Sequence, residues 1–174
     1  GMPDAPQGPR IGLGWDQHRL VPGRPLMLAG VRVPSSSGLL GHSDGDVACH
    51  AVADALLGAA GLGDIGLHFP SGARRTRGIA GLRLLRRVRT LLGGRAILGV
   101  DAVIVCETPR LGARVPAMRK ALARALRVDA SRVSVKIKSP EGLGALGRGE
   151  GIAAQAVALL AATRPQRGKR ERNG

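Results

Sequence analysis

From residue 79 onward the chain changes its hydrophobic period element by element, and that alternation limits the folds open to it. Leu82, Leu85, Val88 and Leu92 recur at helical spacing with arginines between them. Ile97 to Cys106 is a β-type apolar run, Val115 to Leu126 an amphipathic helix, and Arg132 to Lys138 alternates residue by residue. Strand and helix in turn imply an α+β sheet with helices packed on one face. A glycine-rich turn over 142–151 leads into Ile152 to Ala162, which is apolar nearly all round and reads as a last helix buried against the sheet. The other sheet face then needs cover, and oligomerisation would supply it.

Upstream, residues 11–20 alternate like a strand, and Leu26 to Val33 reads as a second one. Pro34 to Leu40 is a Ser/Gly turn region. A helix is expected from Asp44 to Ala60, with Ser43 as N-cap and Gly61 and Gly63 ending it. Phe69 to Gly78, polar with Pro, Ser and Gly, reads as a mobile surface loop. The expected organisation is a single domain over 10–162, followed by a basic, disordered tail over 163–174.

Only 1% of the 174 residues are aromatic, so the core must be built from Leu, Val, Ile and Ala. Trp15 and Phe69 are the only large rings. The formal charge of +15 suggests nucleic acid first. Yet the excess is concentrated in Arg74–Arg89 and in the tail, and the aromatics that stack bases are missing. That argues against nucleic-acid binding as the main function and for a solvated arginine surface. No apolar run approaches the roughly 18 residues that span a bilayer, so no membrane association is expected. Two cysteines, Cys49 and Cys106, make no disulfide framework, which suits a reducing cytoplasm.

Asp16 and His18 sit two apart on a strand and so share a face. His50 lies inside the first helix, with Asp46 and Asp54 four residues to either side. One carboxylate and two imidazoles suit zinc, and three protein ligands leave a position for a substrate oxygen. Asp46 or Asp54 is expected to hydrogen-bond the far nitrogen of His50. The bland alternative makes His50 an ordinary core histidine and Asp16-x-His18 a coincidence. His42-Ser43 precedes the helix, where backbone N–H groups attract anions. Glycines let the 141–150 backbone approach a ligand, and Arg148 can clamp a phosphate. Glu141, near such a site, suits a divalent cation.

Gly14-Trp-Asp-Gln-His18, Gly41-His-Ser-Asp-Gly-Asp-Val47, Asp54-Ala-Leu-Leu-Gly-Ala-Ala60, Gly63-Asp-Ile-Gly66 and Gly147-Arg-Gly-Glu-Gly-Ile-Ala153 occur in this order. Together they resemble the 2-C-methyl-D-erythritol 2,4-cyclodiphosphate synthase family of non-mevalonate isoprenoid (terpenoid) biosynthesis, from about Arg10 to Leu160. The resemblance implies a phosphorus–oxygen lyase. It would convert 4-diphosphocytidyl-2-C-methyl-D-erythritol 2-phosphate to the cyclic diphosphate and CMP, the substrate's 2-hydroxyl attacking the β-phosphorus. It implies that Asp16, His18 and His50 hold zinc or another divalent transition metal. His42 and Ser139 would stabilise the transition state, and Glu141 would hold magnesium or manganese against the substrate diphosphate. Asp64, Ile65 and Gly66 would take the methylerythritol portion, and Cys106 to Gly112, with Pro109, Arg110 and Leu111, the cytidine. Gln17, Ser43, Phe69, Pro70, Lys138, Pro140 and Arg148 complete the implied substrate contacts. A homotrimer is implied as well, with the sheets facing the three-fold axis and active sites between subunits.

The chain departs from the family in three places: Phe69-Pro-Ser-Gly-Ala73 replaces Phe-Pro-Asp-Thr-Asp, Lys138-Ser-Pro-Glu141 replaces Thr-Thr-Thr-Glu, and Ala145 replaces a Phe. The alternative those departures raise is a relative that binds metal and cytidine nucleotide without turnover.

Overall fold

The computed structural model describes residues 8–41, 43–70 and 79–162. The long first strand, β1 (Arg10–Pro22), turns its even-numbered residues inward, and two of these are Gly12 and Gly14. A Cβ on Gly12 would lie 2.0 Å from the Ala55 carbonyl oxygen. Only glycine therefore lets the helix α1 (Val47–Ala60) lie directly on β1. Alanines 48, 51, 53, 55 and 59 on that helix are all buried, which keeps the layer thin without aromatic rings.

Residues 26–33, expected as one strand, form a hairpin of β2 (Leu26–Leu28) and β3 (Val31–Val33). Ala29 (φ 49°) and Gly30 (φ 76°) turn the chain, both in the left-handed region. The Asp46 carboxylate makes this tolerable by accepting the Ala29 and Gly30 N–H groups at 2.9 and 2.7 Å. The same side chain accepts from Cys49 N at 3.0 Å and caps α1. The helix thus begins at Val47 with Asp46 as its cap, not at Asp44 with Ser43. The region expected as turn contains β4 (Ser37–Leu39), paired antiparallel with β1.

After α1 come a single turn α2 (Ile65–His68), the helix α3 (Gly81–Leu91), β5 (Ile97–Val105), the helix α4 (Val115–Leu126) and β6 (Val133–Lys138). β5 and β6 run parallel, joined through α4. The glycine-rich segment contains one short helix, α5 (Gly144–Gly147).

The last element corrects the sequence reading. Gly151–Leu160 is a strand, β7, and not a helix. It pairs antiparallel with β1 along ten residues and with β5 on its other side. Alanine favours helix in isolation, but a near-continuous apolar run also suits a central strand. Two long partners decide the outcome here.

The sheet order is β4-β1-β7-β5-β6, with α1 across β1 and β7, α3 against α1 and α4, and α4 on β6. This is a single mixed α+β domain. The sheet's other face carries Ile11 (71% exposed), Leu13 (61%) and Trp15 (50%) on β1, beside Val157 and Leu159 on β7. The basic tail and most of the loop expected to be mobile, residues 163–174 and 71–78, lie outside the described residues.

Candidate active site

Asp16 and His18 follow Gly14 on the same face of β1, and His50 sits in the first turn of α1. The close approach at Gly14 therefore brings all three together. Asp16 Oδ2 lies 2.8 Å from His50 Nδ1 and 3.0 Å from His18 Nε2. The two imidazoles meet edge-on, with centroids 5.6 Å apart. One ligand atom from each residue falls within 4.8 Å of the other two, the spacing that three ligands of one ion would adopt. A carboxylate and two imidazoles fit a zinc-type transition ion.

Burial raises the Asp16 carboxyl, but hydrogen bonds and charge from His18 and His50 outweigh it and hold the group well below the usual carboxylate range. Burial would lower His50, but the Asp16 hydrogen bond together with Asp16, Asp46 and Asp44 charge outweighs it and raises the imidazole above its ordinary value.

The expected partners of His50's far nitrogen are corrected. Ser43 Oγ lies 3.0 Å from His50 Nε2. Asp46 is taken up by the hairpin and the helix cap, while Asp54 accepts from Ile65 N at 2.8 Å. Asp54 thereby holds α2 beside the site, and Asp64 caps that turn by accepting from Leu67 N.

A cavity of about 390 Å³ opens on the three residues. Asp16, His18, His50 and Ser43 form its polar end, and Ile65, Gly66, Phe69, Pro70, Ile79 and Leu84 its apolar wall. Ile79 and Leu84 are contributions that sequence reasoning missed; in one sequence they look like any helix-packing residue.

A second cavity, of about 750 Å³, lies at the ends of β5 and β6. Cys106, Pro109, Arg110 and Leu111 line it with Ser139 and Glu141. Glu107, inside the Cys106–Gly112 stretch, joins its two sides. Its carboxylate accepts from Ser139 Oγ and from Gly142 N, both at 3.2 Å. Ser139 Oγ in turn accepts from Glu141 N at 2.9 Å. Glu141 itself holds φ 55°, a left-handed backbone rarely adopted away from glycine.

Several expected residues line neither cavity. Gln17 and Lys138 occupy strand positions directed at the open sheet face. Asp64 is the cap described above, and Arg148 pairs with Glu150 at 2.6 Å on the surface. Pro140 is likewise outside both linings. His42 lies outside the described residues.

The YgbB family model matches residues 9–161. The 2-C-methyl-D-erythritol 2,4-cyclodiphosphate synthase of Pelotomaculum thermopropionicum is 54% identical over 153 residues, which are 87% of this chain and 94% of that protein. Among solved structures, a 2-C-methyl-D-erythritol 2,4-cyclodiphosphate synthase in its CDP-bound form superposes with a TM-score of 0.80. It is 43% identical, and the match covers 87% of this chain and 99% of that one. The bifunctional IspDF of Campylobacter jejuni matches with a TM-score of 0.85 at 36% identity, over 89% of this chain but 42% of that longer one.

Proposed function

The chain belongs to the YgbB family, and from that premise we propose that it is a 2-C-methyl-D-erythritol 2,4-cyclodiphosphate synthase. The substrate is 4-diphosphocytidyl-2-C-methyl-D-erythritol 2-phosphate, and the products are the cyclic diphosphate and CMP. The observation that carries this reading is the convergence of Asp16, His18 and His50 on one point at the mouth of a cavity. No observation favours a relative that binds without turnover.

Atom balance corrects the nucleophile. The substrate's 2-oxygen already carries a phosphate, so a hydroxyl there is not available. An oxygen of the 2-phosphate attacks the β-phosphorus, the bond from that phosphorus to the α–β bridging oxygen breaks, and CMP departs with the bridging oxygen and its electron pair. The product ring then contains both phosphorus atoms. Such a transfer needs positioning and charge neutralisation more than covalent chemistry.

The residues divide that work. Asp16, His18 and His50 would hold zinc or another divalent transition ion, and Glu141 magnesium or manganese. When bound, these ions supply positive charge to the β-phosphate and across the diphosphate. Ile65, Gly66, Phe69 and Pro70 form a wall for the methylerythritol carbon skeleton. Cys106, Pro109, Arg110 and Leu111 enclose the cytidine end, and CDP is the ligand of a solved relative. Ser139 lines the second cavity with its hydroxyl hydrogen donated to Glu107, and to contact a phosphate that hydrogen would have to turn from Glu107 to the phosphate oxygen. His42, by the family resemblance, is assigned stabilisation of the transition state.

The two cavities lie on different strands of one chain. β7 and β5 separate β1 from β6, a lateral distance of roughly 14 Å at normal strand spacing. A homotrimer that packs Ile11, Leu13 and Trp15 around its axis would bring one chain's metal residues against the next chain's nucleotide pocket. Two buried free cysteines suit a cytoplasmic setting.

The test is incubation with the substrate, with and without a chelator, while following CMP release. Release that chelation stops and metal restores is expected. His50→Ala should abolish both metal uptake and turnover while the fold survives; full activity in that variant would sink the assignment.

A further inference from the structure

Ser43 touches both a proposed metal residue, His50, and the cavity. Its Oγ lies 3.0 Å from His50 Nε2 and accepts from Gly45 N at 3.1 Å. Its backbone carbonyl is held from outside by Arg24 Nη2 at 3.2 Å. Ser43 is also part of the cavity wall. The segment is therefore fixed on three sides before any ligand arrives.

The imidazole atom directed at Asp16 and His18 is Nδ1. To ligate an ion, that nitrogen must present its lone pair, so the ring proton of neutral His50 must sit on Nε2. A buried N–H there needs an acceptor, and among the described residues Ser43 Oγ is the group within reach. We infer that Ser43 is a positioning residue that fixes His50 in its metal-ligating tautomer and, for that reason, turns its own hydroxyl hydrogen into the cavity.

The second half follows from counting. A serine oxygen has two acceptor sites and one hydrogen. The Gly45 N–H fills one site and the His50 Nε2–H the other. The hydrogen is left to point where neither donor stands, and Ser43 lines the cavity. Ser43 then becomes a dedicated donor to an anionic group bound there, oriented by the same contact that orients the metal ligand.

This inference rests on the metal reading given above, and the experiment separates the two. Zinc affinity is measured by chelator competition for wild type, Ser43→Ala and Ser43→Thr, with cobalt(II) absorption as a report on ligand geometry. Loss of such an outer partner typically weakens metal binding about 10- to 100-fold. That loss is expected for Ser43→Ala, with a changed cobalt spectrum, while Ser43→Thr recovers to within about threefold of wild type. Nitrogen-15 shifts of zinc-loaded wild type should report a protonated Nε2 on His50, a readout that requires no variant. Undiminished zinc affinity in Ser43→Ala, a threonine variant as weak as the alanine one, or an unprotonated Nε2 would each overturn the inference. Wild type that takes up no zinc overturns the metal reading, and the role of Ser43 with it.

Discussion

Gly14 on β1 and Ala51 on α1 approach so closely that a Cβ on the glycine would lie 1.9 Å from the Ala51 carbonyl oxygen. Asp16 follows Gly14 by one side-chain period and His50 precedes Ala51, so this contact sets the spacing of the metal residues. Gly14→Ala must push the helix off the strand. A cost of about 3 kcal/mol is expected from such overpacking, with zinc affinity falling at least about tenfold as Asp16 and His50 separate. Urea denaturation and chelator competition measure the two. Wild-type stability in the alanine variant would show that the helix–strand distance has slack and does not govern the site.

Glu141, the carboxylate proposed to hold magnesium or manganese, has a left-handed backbone at φ 55°. That conformation costs a non-glycine residue about 1–2 kcal/mol. Glu141→Gly removes the strain but loosens the unfolded chain by roughly 0.4–1 kcal/mol, so net stability should hold or rise slightly. Turnover should fall sharply, and magnesium should no longer tighten CDP binding. Calorimetric melting and CDP titration with and without magnesium test the pair of outcomes. A variant that melts markedly lower, or keeps its magnesium effect, contradicts the role given to Glu141.

The first strand was legible because one buried face forces alternation, and alternation puts Asp16 and His18 on one side. His50, on a helix, joined them only through the family motifs, and the structure brings the three within 4.8 Å of one another. What stayed hidden was decided at long range. Ile152 to Ala162 reads as a helix until β1 and β5 supply ten and eight pairing residues to either side of residues 151–160. Ala29 gives no hint of a left-handed turn, because the carboxylate that stabilises it is seventeen residues away. Spacing of four along α1 pointed to Asp46 and Asp54 as partners of His50. Both were already occupied by backbone N–H groups, and Ser43, seven residues back, took the contact. Glu107 lay in the stretch assigned to the cytidine, but its bonds could not be read, since Ser139 and Gly142 reach it only once β5 and β6 lie side by side.

Cys106 reports on the nucleotide pocket through its titration. Burial, then the Glu107 charge, push its thiol from 9.0 up to about 11. Because the folded value is the higher one, the thiol's contribution to stability is whole below about pH 9 and disappears as pH rises through about 11. At pH 8 its thiolate should be about a hundredfold scarcer than for an ordinary thiol of 9.0. Iodoacetamide labelling followed by mass spectrometry should therefore be slow at pH 8 and accelerate toward pH 10. Added CDP should suppress it at both. Rapid labelling at pH 8, or labelling indifferent to CDP, would place Cys106 outside the pocket assigned to the cytidine.

The open sheet face offers the sharpest test of assembly. Ile11, Leu13 and Trp15 project from β1, and Leu13 lies opposite Val157 in the register with β7. In a lone chain Leu13 is 61% exposed, so Leu13→Asp removes no core contact and should cost the isolated domain no more than about 0.5 kcal/mol. Around a three-fold axis the same substitution brings three carboxylates together in an apolar setting, where unpaired charge is strongly disfavoured. Light scattering should give wild type at about three times the 17.9 kDa chain mass and the variant at the single-chain mass. Zinc binding should survive, since Asp16, His18 and His50 come from one chain, whereas turnover should vanish if, as proposed, the nucleotide pocket is contributed by the next chain. An active single-chain variant would mean that one subunit completes the site alone, and the roughly 14 Å set by two intervening strands would then have to be spanned by the substrate within that chain.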